Sequence, residues 1–441
     1  MKRHLASTFR ALAIRDYRRF AIGQSISVTG TWMQKLAQAW LVLELTGSPF
    51  LLGVTVAIQQ TPTLLFTTVG GALADRFRKR TILVWTQIGA LLPALALGTV
   101  VALDVVAVWM VMVAALTQGM SDAIDKPARL TFVNDIATPD TLTNAVTLNS
   151  VIQNSGKVAG PAIAGLLIDA VGISWAFFAN AASFVPVILA LMMIRPAGPV
   201  AAPGRITVTG NPVMTLRYVA ARPTLAAALV LMAVSGLLAY NWNVLLPAYF
   251  HGVFAGDAKT VGLAFTSMGL GAVLGGLSFA GLLSPRWKPL LINGCVLAAL
   301  LTLLGLSPSL IVAHVILFAL GAVSVTFRAT ANAMLQLYSD SHMRGRVISL
   351  LVLATNGTTP VGGPIIGWIC QNAGPRLACA VGGVGTALAA IACHAYLRRG
   401  ERRGRGIDEP PRTIHDSPVN RCSDGSAAKM ASRSSSDSRP I

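Results

Sequence analysis

The chain has 441 residues, of which 54% are hydrophobic and only 12% charged, with a mean hydropathy of +0.64. That composition excludes an ordinary water-soluble domain. The formal net charge of +18 raises nucleic acid as a partner, but the placement of the bases argues against it. Twelve apolar stretches approach or exceed the ~20 residues that cross a bilayer as a helix, at roughly 18–44, 50–73, 81–102, 107–127, 142–168, 174–194, 223–250, 260–283, 288–306, 309–328, 345–370 and 376–397. Helices are required because lipid leaves no partner for an open backbone, and runs this long are not barrel strands. A basic N-terminus precedes the first run, but no small-residue cleavage site follows it, so no cleavable signal peptide is expected.

The first span carries Gln24, Ser27, Thr31, Gln34, Lys35 and Gln38, which fall within about 100° of arc at helical spacing. Such a stripe belongs on a water-filled cavity. Lys35 would cost about 2.5–3.5 kcal/mol against lipid, so it either lines the cavity or pairs with an acid on a neighbouring helix. Glu44 ends this span. The gap after the second span reads Gly71-Ala72-Leu73-Ala74-Asp75-Arg76-Phe77-Arg78-Lys79-Arg80, half of it charged.

The fourth span ends with Asp122 and Asp125. Either could change protonation during a transport cycle, or pair with Arg76 or Arg80 to latch a gate, the preferred role for Asp125. The fifth span holds Asn149, Gln153 and Lys157 at i, i+4 and i+8, beside Gly156-x-x-x-Gly160-Pro161, a spacing of small residues that lets helices approach closely.

After the sixth span, Pro and Gly open a linker over 195–222. The seventh span contains Tyr240, Asn241, Trp242 and Asn243 before Pro247, which suits either an amphiphilic ligand or anchoring at the membrane surface. His314 lies in the tenth span as a further titratable group, or as a packing residue. Asn356 and Thr359 belong to the eleventh, whose Gly363-Pro364 echoes Gly160-Pro161 about 203 positions earlier. An internal repeat of this kind marks secondary transporters built from two rocking halves. Beyond 397 the chain is rich in Arg, then Ser, and reads as a disordered cytoplasmic tail over 398–441.

Topology follows from the bases. With residues 1–17 inside, the short even-numbered gaps hold ten Lys or Arg and the odd-numbered gaps hold only Lys259 and Arg376. That bias places both termini in the cytoplasm. The five cysteines have no metal-ligand spacing and are expected to pack. No metal or cofactor is expected, and no loop carries a nucleophile–base constellation, so an enzyme is the least favoured class.

The gap at Gly71, Asp75, Arg76, Lys79 and Arg80 resembles the helix 2–3 signature of the major facilitator superfamily, with Arg78 where that pattern has Gly. The Gly156–Pro161 run resembles the exporter-associated signature on helix 5. Gln118-Gly119 resembles part of the helix 4 signature, with Ala115 in place of its Arg. Trp32-Met33-Gln34, the run from Trp40 to Pro49, and Arg344-Gly345-Arg346-Val347 are similar to the enterobactin-exporter and macrolide-efflux branch.

The resemblance implies an all-α integral membrane fold with twelve helices in two pseudo-symmetric six-helix bundles, over 18–194 and 223–397. It implies a monomeric transporter in the bacterial cytoplasmic membrane. The expected activity is proton-coupled export of an amphiphilic small molecule, with protons, lipid and substrate as partners and no nucleic acid. The cavity set is Gln24, Ser27, Gln34, Lys35, Gln38, Gln153, Lys157, Asn241, Asn243 and Asn356. Proton coupling falls to Asp122, Glu44 or His314. Gating falls to Gly71, Asp75, Arg76, Lys79, Arg80, Asp125, Gly156, Gly160 and Pro161. An importer on the same fold is the alternative, and a sensor or scaffold is a weaker one.

Overall fold

The computed structural model describes residues 10–194, 212–279 and 285–402. Among them the chain forms fifteen α-helices and no strand. The first half is α1 (Arg15–Thr46), α2 (Pro49–Arg76), α3 (Lys79–Ala102), α4 (Val108–Ile136), α5 (Leu142–Val171) and α6 (Ile173–Met193). A short helix, α7 (Pro212–Ala220), precedes the second half. That half is α8 (Pro223–Leu238), α9 (Trp242–Phe254), α10 (Ala258–Phe279), α11 (Trp287–Gly305), α12 (Leu310–Leu337), α13 (Arg344–Asn356), α14 (Thr359–Ala373) and α15 (Pro375–Arg402). Taking α8–α9 and α13–α14 as single interrupted passes gives two sets of six, the twelve-helix architecture of the major facilitator fold.

Local chemistry sets the turns. Gly47 ends α1 in the left-handed region at φ 60, donating its N–H to the Leu43 carbonyl at 2.7 Å. Ser48 then caps α2 by accepting the Leu51 N–H at 3.2 Å, with Pro49 in the first turn, where no backbone donor is needed. Between α5 and α6 the chain turns at Gly172 (φ 97), and between α14 and α15 at Gly374 (φ 87). The internal repeat therefore includes the turns as well as the Gly-Pro pairs.

Two expected spans are interrupted. Between α8 and α9, the Ala239 and Tyr240 N–H groups both donate to the Ser235 carbonyl, and the Asn241 amide donates to the Leu237 carbonyl at 2.7 Å. Between α13 and α14 the chain restarts at Thr359-Pro360. The two breaks lie against each other: a methyl group added to Gly236 would stand 2.4 Å from the Ala354 carbonyl oxygen. Two other helices run nine residues past their expected ends. The fourth pass continues from 127 to Ile136 and the tenth from 328 to Leu337.

The halves are held together at the face opposite the described chain ends, here the far face. An ion pair joins Lys259 of α10 to Asp169 of α5 at 3.0 Å, and Ser48 donates to the Gln371 amide oxygen at 2.6 Å. The Trp40 and His251 rings meet edge to face at 5.4 Å. Backbones touch at small residues: Gly53 of α2 packs on Gly363 of α14, and Gly262 of α10 packs on Pro161 of α5.

Eight of the twelve passes are long and apolar enough to be membrane spans by composition alone. The remaining four, α1, α4, α5 and α13–α14, are diluted by polar residues, and all four line the central cavity described next. Large apolar side chains such as Trp85 and Leu277 are exposed on the outer surface, as a lipid-facing girdle requires.

Candidate functional site

A cavity of about 590 Å³ lies between the halves, within the 300–1,000 Å³ range of small-molecule sites. Its lining residues lie in the parts of their helices nearer the basic face, which carries the described chain ends; there Thr67, Val352 and Leu353 are exposed. Toward the far face it ends at Trp32 and Lys35. Both residues also line a hole of about 10 Å³ beyond, together with Pro161, Asn243 and Pro247.

The walls are unequal. From the first half come Gln24, Ser27, Thr31 and Lys35 of α1, Gln60 and Thr67 of α2, and Thr86 and Gln87 of α3. The same half supplies Asp122, Asp125, Lys126 and Arg129 of α4, with Gln153 and Lys157 of α5. The second half contributes Ser349, Val352, Leu353, Asn356 and Gly357, none of them charged.

Two carboxylates organise the charged wall. Asp125 is fully occupied: Oδ2 pairs with Arg129 at 3.1 Å, while Oδ1 accepts from Gln87 at 2.9 Å and Thr86 at 3.2 Å. Ser27 donates to the Gln87 amide oxygen at 3.1 Å, so α1, α3 and α4 share one network. Asp122 is divided instead. Its Oδ2 lies 3.2 Å from Lys126 and 3.8 Å from Lys35, and its Oδ1 accepts from Gln118 at 3.1 Å. The Lys35 ammonium also stands 4.5 Å from the centre of the Trp32 ring, and the Lys157 ammonium lies 5.8 Å from it. Lys35 thus both lines the cavity and pairs with an acid.

Several expected cavity residues lie elsewhere. Gln34, at the edge of the α1 stripe, turns to α6 and accepts a hydrogen bond from Asn180. Gln38, one turn nearer the far face, accepts from Gln59 at 3.5 Å and is buried beyond the cavity's end. Asn241 is consumed by the α8–α9 break, and Asn243 reaches only the small far-side hole. Asn356 does line the cavity, as do Gln24, Ser27, Lys35, Gln153 and Lys157.

The coupling candidates separate equally clearly. Glu44 is exposed at the far end of α1. The His314 Nδ1 lies 2.7 Å from the Leu310 carbonyl and the ring packs on Phe250 at 5.4 Å, a packing role away from the cavity. Asp122 alone of the three lines the cavity.

The gating set also divides. Lys79 pairs with Asp135 of α4 at 2.8 Å, and Arg80 donates to the Met192 carbonyl of α6 at 2.7 Å, so both bases tie the first half to itself. Asp125 pairs within α4 and with α3, not with Arg76 or Arg80. Asp75 and Arg76 are exposed, and no ion pair joins them to the second half among the described residues. The corresponding gap of the second half, 280–284, lies outside those residues. Gly71 has open space around it. Gly156 and Gly160 pack against Val28, Thr29 and Trp32 of α1 within the first half; Pro161, with Val158 and Gly165, reaches α10. The helix 5 run therefore seats α5 on α1 with one face and on the second half with the other.

Sequence reasoning counted Lys126 and Arg129 only as topology bases at the end of the fourth span. It passed over Arg328, the last residue of the tenth span: this residue lies inside α12, with its guanidinium 5.5 Å from the Tyr240 ring centre. Trp32 was noted only as a motif residue. His394, which accepts from the Trp287 indole N–H at 3.2 Å, joins α15 to α11 and serves packing.

The chain matches the transmembrane secretion effector family, a major facilitator group, over residues 6–413. The chain belongs to this family. It is 27% identical over 360 residues to the multidrug efflux pump Tap of Mycolicibacterium fortuitum, covering 78% of this chain and 87% of that one. It is 23% identical over 387 residues to the enterobactin exporter EntS of Escherichia coli O1:K1, covering 84% and 88%. Among solved structures it resembles the nucleoside transporter NupG, with a TM-score of 0.70 and 12% identity over 86% of this chain and 98% of that one; this shows the fold. The chain is a major facilitator transporter and not an enzyme, a multi-pass protein of the bacterial inner membrane. The resemblance read from its motifs is borne out.

Proposed function

We propose that this chain is a secondary active exporter of an amphiphilic small molecule, working as a monomer by alternating access and powered by the proton-motive force. The carrying observation is the 590 Å³ cavity between two halves whose polar contacts with each other, among the described residues, lie at the far face. The ten-to-two bias of bases supports a cytoplasmic basic face, the side from which an exporter loads. The names of Tap and EntS, an efflux pump and an exporter, support this direction for their relative.

Asp122 is the proposed coupling carboxylate. It is the acid in the cavity whose partners are shared and changeable, whereas Asp125 is held by three donors. Protonating Asp122 would release Lys35 and Lys126 together and alter the charge of the wall that closes on the substrate. In the outward-open state, Asp75, Arg76 and Arg80 would latch the cytoplasmic side, and Pro161 would ride against Gly262 as the halves rock.

The test is accumulation, in efflux-deficient cells, of cationic dyes, a macrolide and a catecholate siderophore, with and without a protonophore. Lowered accumulation of any of them that the protonophore abolishes supports export. Raised accumulation on expression means uptake and refutes it.

A further inference from the structure

The charges on the cavity wall do not balance. Four cations line it, Lys35, Lys126, Arg129 and Lys157, against two carboxylates, Asp122 and Asp125. Arg129 is neutralised by Asp125 at 3.1 Å, while Lys35 and Lys126 share Asp122. Lys157 has no carboxylate within 4.0 Å among the described residues; its ammonium contacts the Asn154 amide oxygen at 3.3 Å and is exposed to the cavity. The charge of Arg328 on α12 acts on Lys157 from the other half and supplies no counter-charge. One turn before Lys157, Gln153 carries a buried amide nitrogen with no acceptor among the described residues. The surplus is therefore of positive charge and of hydrogen-bond donors, in a site flanked by low-dielectric membrane, where an unmatched charge is costly.

Beside these donors lies aromatic surface. The Trp32 ring centre lies 4.5 Å from the Lys35 ammonium and 5.8 Å from that of Lys157, and Phe184, Val352 and Leu353 add apolar wall. We propose that the cavity selects an anionic amphiphile, with its carboxylate or equivalent acidic group on Lys157 and Gln153 and its ring system against Trp32. This rests on the exporter reading for its physiological meaning but not for its test. A cationic amphiphile would meet a net formal charge of +2, four cations less two carboxylates, and no free acid.

The test uses two xanthene dyes of similar size and opposite charge, fluorescein with its carboxylate and cationic rhodamine 123. Their equilibrium binding to the purified full-length protein in nanodiscs is read by fluorescence anisotropy. Fluorescein is expected to bind at least about tenfold more tightly, the value of one charge-assisted hydrogen bond. Lys157→Gln should remove most of that preference, Lys157→Arg should retain it, and Lys157→Glu should favour rhodamine. Monodisperse elution of each variant separates lost recognition from lost folding. Rhodamine 123 bound as tightly as fluorescein, or no fluorescein binding up to its solubility, overturns the proposal. Transport is measured separately in everted vesicles: intact fluorescein binding with no movement of either dye counts against export and leaves the anion preference standing.

Discussion

The ion pair between Lys35 and Asp122 gives a stability prediction whose sign is distinctive. The side chains are only 14% and 18% exposed, with 3.8 Å between Nζ and Oδ2. At that distance two unit charges attract by about 4 kcal/mol at an effective dielectric constant of 20, much of it offset by desolvation. Breaking a fully buried pair costs about 3–5 kcal/mol and a surface pair about 0–1 kcal/mol; a wet cavity wall belongs between, at about 2 kcal/mol. Lys126, 44% exposed on its side chain, adds less than about 1 kcal/mol through its 3.2 Å contact. Asp122→Asn therefore leaves Lys35 charged, mostly buried and without an acid, and the melting temperature should fall. Adding Lys35→Met removes the orphaned charge, so the double variant should melt higher than Asp122→Asn alone. Cys370, Cys379 and Cys393 are buried, so a maleimide dye that fluoresces on thiols uncovered by heating reports the transition, with Cys422→Ser as the background. A double variant that melts lower than Asp122→Asn would falsify the pairing, because it would mean that the charge of Lys35 is satisfied elsewhere.

Gly53→Val places a side chain where even a methyl group stands 2.4 Å from the Gly363 carbonyl oxygen. The resulting overpacking costs about 1–3 kcal/mol and should open the far face, read as increased labelling of an introduced Asn356→Cys by a membrane-impermeant reagent added outside right-side-out vesicles. Asp75→Asn alters an exposed residue and should change stability by less than about 0.5 kcal/mol while slowing exchange; unchanged turnover removes Asp75 from the gate. At the basic face, Arg222 bonds to Asp340 at 2.8 Å and stacks 3.9 Å over the Tyr218 ring, while the Asp340 N–H donates to the Tyr218 hydroxyl at 2.9 Å. The Tyr218 hydroxyl donating to the carboxylate itself, then the hydrogen bond and charge of Arg222, hold the Asp340 carboxyl below its usual value of 3.8. Its contribution is complete above that value and disappears as the pH falls through the lowered one. Proteolysis near α7 should consequently be insensitive to pH from 5 to 8 and rise in Asp340→Asn at every pH in that window.

The fold was legible because lipid enforces the signal: a spanning helix must be apolar along its length, and basic gaps fix which loops share a side. The polar stripe of α1 was legible for the same reason, and four of its six members line the cavity. What failed was the register at helix ends. Hydropathy fades after 127, yet α4 continues through Arg129 to Ile136 because its charged side faces the cavity and not lipid. Breaks failed in the opposite sense. The α8–α9 interruption lies in a span whose mean hydropathy stays high, and Asn241 there caps the freed carbonyl of Leu237 at 2.7 Å, so no dip in hydropathy marks it. Asp125 with Arg129 is an i, i+4 pair that spacing offers once the helix is carried past 127; its bonds to Thr86 and Gln87 depend on the rotation of α4 against α3, which no spacing along the chain encodes.

The charge of the substrate bears on what drives the cycle. Outward movement of one anion and inward movement of one proton both carry positive charge inward, each releasing about 2.3 kcal/mol per 100 mV of potential, negative inside. An exporter of the proposed kind would therefore draw on the potential through its substrate and on the pH gradient through Asp122, and the two contributions would separate in proteoliposomes. A potassium gradient with valinomycin sets the potential at equal pH; a pH jump at clamped potential supplies the other component. Fluorescein efflux should respond to both in the unaltered protein. Asp122→Asn should lose the response to the pH jump and keep the response to the potential, because Lys157 and Gln153 still hold the anion while the titrating carboxylate is gone. Loss of both responses, with fluorescein binding intact, would place Asp122 in the conformational switch itself; retention of both would remove it from coupling and leave Asp125, released from Arg129 at some other point of the cycle, as the remaining acid in the wall.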